Sequence, residues 1–363
     1  MDFNLTPEQL LIKDSVARFA AGEHADSDPW PTFTELGWLA IGAPDELGGF
    51  GGALETLLLM EQFGRGRVVS PYVGGVVFAG TILRAAGRLD LLESLVDGSR
   101  RFAVAYEEPH ARYDPALIAT TATPSGDGFV IDGTKVRVLD AGTADTLIVS
   151  ARGPQGLLLL TVAATSDGIT RTPFASEDGH DVANVRFSGV RAGSDAVLSG
   201  PDSALAVLER GLDHAIGALC AEGLGLMSAM LEMTVAYAKQ RQQFGVPIGS
   251  FQALQHRMAE MFIELELARS MAYLAATTLD GGGDDETRQR GISAAKVQIA
   301  RSGRFVGQQA IQIHGGIGMS EEYKVGHYFK RMTMIERLLG DVDFHLARFA
   351  STPVPAEREA VVV

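Results

Sequence analysis

The chain has 363 residues, enough for two or three domains and a sizeable buried core. Its 31 basic against 45 acidic side chains give a net charge of −14 without any long basic run, which argues against nucleic acid and anionic membrane surfaces as partners. The single cysteine, Cys220, excludes an internal disulfide, and its apolar helical setting suits a core thiol. Residues Met1 to Pro7 lack the basic and apolar regions of a signal peptide, and no apolar run reaches the ~18–20 residues of a membrane span, so the expected location is cytoplasmic.

Thr6-Pro7-Glu8-Gln9 reads as a helix start, with a capping hydroxyl, proline at the first helical position and a carboxylate in the first turn. Leu10, Leu11, Val16 and Phe19 mark its apolar face. Helical patterns continue to about residue 100, broken at 44–49 and at Ser70-Pro71, and define an all-α domain over 1–101. The texture then changes. Phe129-Val130-Ile131, Leu147-Ile148-Val149 and the run Leu157–Val162 are short β-rich stretches separated by glycine turns, and they predict a small barrel or sandwich over 102–199. Long helical patterns return over about 203–240, 250–279, 287–313 and 320–350, with a glycine-rich flexible loop at 281–285. They predict an antiparallel four-helix bundle within a C-terminal domain over 200–363, so the fold class is α+β in the order α–β–α.

Two blocks carry most of the chemistry. Arg241-Gln242-Gln243-Phe244-Gly245 ends one long helix, and Gln312-Ile313-His314-Gly315-Gly316-Ile317-Gly318 ends another. The first puts a permanent bidentate cation and an aromatic ring at a turn. The second puts an amide donor beside bare glycine backbone, which lets a bulky anion approach closely. Together they read as two halves of a clamp for a dinucleotide pyrophosphate. A lone helix-end arginine is more often just solvated, and His314, before a glycine turn, reads as structural.

The α–β–α order and these blocks resemble the acyl-CoA dehydrogenase family over essentially the whole chain. The match is strongest over Tyr237–Ala253 and Ala310–Met319, with Glu321-Glu322-Tyr323. The resemblance implies a tetramer in which FAD lies between subunits. It also implies that Arg241, Phe244, Gln252, Gln312 and the Gly315-Gly316 turn reach the adenosine-diphosphate end of a neighbour's FAD. Acyl-CoA is then the implied substrate, and electron-transfer flavoprotein the usual electron acceptor.

The rest of the family's site departs from its pattern. Where a Thr-Glu-Pro-Gly-x-Gly-Ser loop is expected, the chain reads Tyr106-Glu107-Glu108-Pro109-His110-Ala111-Arg112-Tyr113-Asp114, keeping only Glu108-Pro109. Where Trp-x-Thr-Asn-Gly is expected, it reads Arg137-Val138-Leu139-Asp140-Ala141. The family's glutamate base falls at Leu339, and its alternative position at Ala215-Ile216; neither accepts a proton. Glu209, Asp213, Glu222, Asp341 and Asp343 could substitute. Glu209 and Asp213 share one helix face and read as solvated, Asp341 and Asp343 as contacts of Arg337 and Arg348, and Glu222 as a raised buried carboxylate or a structural ion pair.

This pattern of losses resembles the non-catalytic subunit of the α2β2 acyl-CoA dehydrogenases of bacterial steroid side-chain catabolism, which completes FAD sites in trans for a homologous catalytic chain. The alternatives are a self-sufficient homotetramer with a displaced base, Glu222 or Asp341, and a flavin-free structural subunit of the same fold. A di-iron bundle is excluded, because the Glu-x-x-His pairs Glu107–His110 and Glu177–His180 fall in the β segment.

Overall fold

The computed structural model describes residues 5–22 and 28–352. Helix α1 (Pro7–Ala20) starts as its sequence demands. The Gln9 N–H donates to Thr6 Oγ1 at 3.3 Å, and the Thr6 N–H donates back to Gln9 Oε1 at 3.0 Å. Helices α2 (Trp30–Glu35) and α3 (Ala53–Gly66) follow, then a π-helical segment, Tyr72–Phe78, running into α4 (Ala79–Ala85) and α5 (Leu89–Val96). Phe33 and Phe63 stack at 5.3 Å in the middle of this group, with Trp38 and Tyr72 edge-on around them.

The middle of the chain supplies β1 (Phe102–Ala105), β2 (Thr121–Ser125), β3 (Gly128–Leu139), β4 (Thr146–Gly153), β5 (Gly156–Ala163), β6 (Ile169–Ala175), β7 (Asp181–Ala192) and β8 (Val197–Ser199). They form one eight-stranded sheet in the order β6-β7-β3-β2-β4-β5-β8, with β1 pairing parallel to β4. The three β-rich runs lie inside β3, β4 and β5. Ile131, Leu147, Val149, Leu160, Val185 and Phe187 fill the sheet's own core. Strand β3 breaks register against β7 between Lys135 and Val138, and Arg137 there takes a left-handed φ of 51°.

Helix α6 (Ala204–Gln240) leads the C-terminal part, joined by a two-residue hairpin, β9 (Gln242–Gln243) and β10 (Val246–Pro247), to α7 (Gln252–Asp280). A tight turn at Gly281–Gly283 separates α7 from α8 (Asp285–His314), so the glycine run expected as a flexible loop is a helical hairpin connection. The Asp284 carboxylate caps α8 by accepting the Thr287 N–H at 2.7 Å. The last helical pattern splits into α9 (Lys324–Arg337) and α10 (Val342–Ser351), because Leu339 and Gly340 turn left-handed between them.

The two helical parts share one core instead of packing separately. Where α3 crosses α6, a Cβ on Gly64 would lie 2.1 Å from the Glu222 carbonyl, and one on Gly225 would lie 2.0 Å from that of Glu61. Only glycine allows these backbones to touch. Helix α6 is long and apolar enough to cross a membrane, yet 89% of its most apolar window is buried inside the protein. Cys220 lies in that buried stretch at 0% exposure, and burial pushes its thiol up to about 12.

Candidate functional site

The two sequence blocks meet at one end of the bundle. Arg241 leaves α6 in extended conformation, its N–H bonded to the Tyr237 carbonyl and its own carbonyl accepting the Ile248 N–H at 2.8 Å. Phe244 and Gly245 both have positive φ, 54° and 82°, as a tight hairpin turn requires. That turn pushes the Phe244 ring out to 91% exposure, with Phe251 edge-on to it at 6.1 Å. Gln252 opens α7, Gln312 lies in the last turn of α8, and Gly315 caps α8 with a left-handed φ of 63°. A Cβ built on Gly315 or Gly316 meets nothing within 4 Å.

His314 binds the two blocks together. Its ring stacks on Tyr237 at 4.5 Å, leans on Tyr323 at 5.0 Å, and its Nδ1 pairs with the Ala310 carbonyl at 2.8 Å. It is buried, and burial holds its pKa below the usual histidine range, so it is a neutral structural ring. Arg241, Gln252 and Gln312, by contrast, are exposed and make no side-chain hydrogen bond or ion pair among the described residues. A guanidinium, two amides, an exposed aromatic ring and an open glycine turn therefore lie at this end of the bundle, and the three polar side chains have no side-chain partner among the described residues. That donor set fits the diphosphate and adenine of a dinucleotide.

The other half of the expected site is closed by the chain itself. Glu108 accepts the N–H groups of Ala119 at 2.8 Å and Thr120 at 3.0 Å, and Lys135 Nζ at 2.7 Å. Lys135 is fully buried and also donates to the Tyr106 carbonyl and Ser150 Oγ. Burial pulls this lysine down to about 8, against the opposing pull of Glu108. The surviving Glu-Pro element is thus a fastening inside the sheet domain. Beside it, Arg137 pairs with Glu107, its Nε 3.1 Å from Oε2, while its guanidinium lies 5.7 Å from the centre of the Tyr113 ring. Tyr113 has a φ of 75° and packs on Phe344 of α10 at 5.8 Å. An ion pair and a tyrosine occupy positions where the family pattern has an aromatic ring, a hydroxyl and flexible glycines, so these residues do not fit a flavin ring.

A cavity of about 530 Å³ lies next to this plug. Leu339 and Ile216, one from each position the resemblance gives to a base, both line it, with Tyr106, Tyr113 and Phe344. Leu339 is held in its left-handed turn from below: the Leu338 carbonyl accepts Lys296 Nζ at 2.9 Å, and the Leu339 carbonyl pairs with His345 Nε2 at 3.1 Å. Glu209 also lines this cavity, half-buried, and accepts Gln289 Nε2 at 3.1 Å. Burial raises its pKa, with Arg348 opposing.

The remaining carboxylates have structural partners. Asp213 does not lie on a solvated face; it is fully buried between Arg288 at 2.9 Å and Arg348 at 2.6 Å. Asp341 does not contact Arg337 or Arg348; it caps α10 by accepting the Phe344 N–H at 2.9 Å, while Asp343 is exposed. Glu222 is the structural ion pair of its two readings, bound at both oxygens by Arg331 at 2.6 and 2.7 Å. Arg331 also reaches Asp178 at 2.7 Å, and these carboxylates hold it charged although it is buried.

Sequence reasoning missed Arg331, Asp178, Lys135 and the buried Asp140, whose pKa burial and then Asp181 push up to about 8. The sequence signal for Arg331 is its place beside the apolar stripe Val325, Tyr328, Met332 and Ile335 of α9. No group of three or more potential metal ligands lies together among the described residues.

Comparison with known proteins agrees with this geometry. Residues 6–89 match the model for "Acyl-CoA dehydrogenase, N-terminal domain" and residues 205–351 that for "Acyl-CoA dehydrogenase, C-terminal domain". The probable acyl-CoA dehydrogenase YngJ of Bacillus subtilis is 31% identical over 93% of this chain and 95% of its own. Among solved structures, the steroid ACAD Tcur3481-Tcur3483 is 32% identical with a TM-score of 0.81, covering 94% of both chains. The FAD complex of PigA is 26% identical with a TM-score of 0.88, covering 96% of this chain and 98% of that one. The chain belongs to the acyl-CoA dehydrogenase family.

Proposed function

We propose that this chain is the non-catalytic subunit of a two-component, FAD-dependent acyl-CoA dehydrogenase. It offers Arg241, Phe244, Gln252, Gln312 and the Gly315-Gly316 turn to the adenosine-diphosphate end of an FAD held mainly by a homologous chain. When bound, FAD supplies the hydride acceptor for α,β-dehydrogenation of the acyl thioester. Arg241 would neutralise the diphosphate bidentately, the glycine turn would let it approach, and Phe244 would present a flat surface to the adenine.

One observation supports this reading: Arg241, Gln252 and Gln312 are exposed without a side-chain partner among the described residues, while Glu107, Arg137 and Tyr113, at positions the family's pattern gives to flavin contacts, are engaged with one another. The likeness to a steroid ACAD named for two chains supports both a heteromeric partner and a steroid-derived acyl group. Co-expression with an acyl-CoA dehydrogenase-like chain encoded beside this one tests it. The expected product is a stable complex with one FAD for each pair of chains. Two chains that stay apart on gel filtration, or a complex with FAD in every subunit, would overturn it.

Glu209 favours a second reading, a self-sufficient homotetramer with a displaced base. It is a carboxylate with raised pKa in the cavity lined by Leu339 and Ile216. Under that reading Glu209→Gln abolishes turnover by the purified homomer and leaves its FAD in place. Under the half-site reading the homomer has no FAD to retain.

A further inference from the structure

A separate cavity of about 250 Å³ lies between the π-helical segment, α4, α5, the 39–53 loop, the N-terminal third of α6 and the end of α7. It shares no lining residue with the Glu209 cavity, so what it binds can be tested apart from the half-site reading.

Arg84 projects into its wall. The guanidinium is half-buried, donates from Nη1 to the Gly42 carbonyl, and has no carboxylate within 4 Å among the described residues. The one carboxylate in the lining is already engaged: Asp280 accepts the Ala53 N–H at 2.7 Å and the Leu54 N–H at 3.1 Å, capping α3. Burial lowers the Arg84 pKa, Arg210 lowers it further, and Asp280 opposes this. His214 adds no charge at neutral pH, since burial, Arg84, Arg288 and Arg210 push it down to about 3. Of its five donors, only one on Nη1 has a hydrogen-bond partner among the described residues, and Nε and Nη2 are not among the buried atoms left without one, so they stay open to water or to a ligand. Nε and Nη2 together match an anion with two coplanar oxygens.

Apolar side chains set the rest of the ligand. Leu39, Val76, Leu92 and Leu95 also line the cavity, which disfavours a fully hydrated ion. At ~30 Å³ per water the space equals roughly eight waters, enough for a short alkyl chain and a head group. We propose that this cavity binds a short aliphatic carboxylate, its head group on Arg84 and its chain against Leu39, Val76 and Leu95.

Calorimetric titration of the full chain with butyrate tests this, with butyramide as the uncharged isostere. Saturable binding of butyrate at millimolar concentration, no heat from butyramide and at least about tenfold weaker butyrate binding by Arg84→Met are expected. The proposal is overturned by absence of saturable butyrate binding, by equal binding of acid and amide, or by Arg84→Met binding butyrate as the native chain does. The acid-versus-amide comparison needs no variant, so it decides the matter even if Arg84→Met fails to fold.

Discussion

The corner formed by Arg241, Phe244, Gln252 and Gln312 differs from the pocket around Glu107, Arg137 and Leu339 in the direction its polar groups face. In the first, a cation, two amides and open glycine backbone are exposed with no side-chain partner among the described residues. In the second, the central charges are paired: Glu107 with Arg137, and Glu108 with Lys135 and two backbone N–H groups. Buried polar groups must be satisfied internally, whereas exposed ones can wait for a ligand. On the half-site reading proposed above, the first set would serve another subunit's cofactor, while the residues that would serve the chain's own have become internal structure.

The largest expected effect breaks the assignment of Glu222 to structure. Glu222→Leu removes one arm of a buried ion pair, and such losses are about 3–5 kcal/mol. The urea midpoint should fall accordingly, and the folded fraction should still complete FAD sites with the partner. If Glu222→Leu were stable but inactive, Glu222 would belong to chemistry instead.

Arg241→Ala sharpens the other side of the comparison. Hydrogen bonds to a charged group contribute about 1.5–3 kcal/mol, so FAD affinity of the assembled pair should drop about 10–100-fold. Because Arg241 is exposed and unpaired, stability should stay within about 0.5 kcal/mol of native.

The sealed region also has a pH signature. Burial, with Lys296 and Arg348, depresses His345 from 6.5 to about 3. Above pH 6.5 both folded and unfolded states carry a neutral ring, and this part of the stability is intact. As pH falls from there towards about 3 only the unfolded state takes up the proton, so stability declines. One such histidine contributes a slope of about 1.4 kcal/mol per pH unit. His345→Gln should remove that increment from the pH dependence of the unfolding midpoint.

The smallest effects separate two adjacent glycines. Gly315→Ala places a side chain at a φ of 63° and should lose about 1 kcal/mol of stability to strain. Gly316→Ala has no such strain and open space around it, so the unfolding midpoint should not move. Its methyl would still stand in the way of a diphosphate and lower FAD affinity in the assembled pair.

Helical periodicity and turn chemistry made the α–β–α order and the two helix-end blocks legible, because Arg241 to Gln252 and Gln312 to Gly316 are local motifs at helix ends. The buried charges were not. Glu222 and Arg331 are 109 residues apart, and Asp178 and Arg331 are 153 apart, so no window contains both partners. Asp213 read as solvated for the same reason: Arg288 and Arg348, which neutralise it, arrive from α8 and α10. Glu209 could be named from the sequence, but only the cavity distinguishes it from its neighbours.

Titrating the purified, isolated chain with FAD and following the flavin absorbance after gel filtration tests the half-site reading most directly. A chain that contributes only the adenosine-diphosphate clamp should retain no stoichiometric flavin, before or after acyl-CoA is added. One FAD retained per chain, bleached by an acyl-CoA thioester, would contradict it.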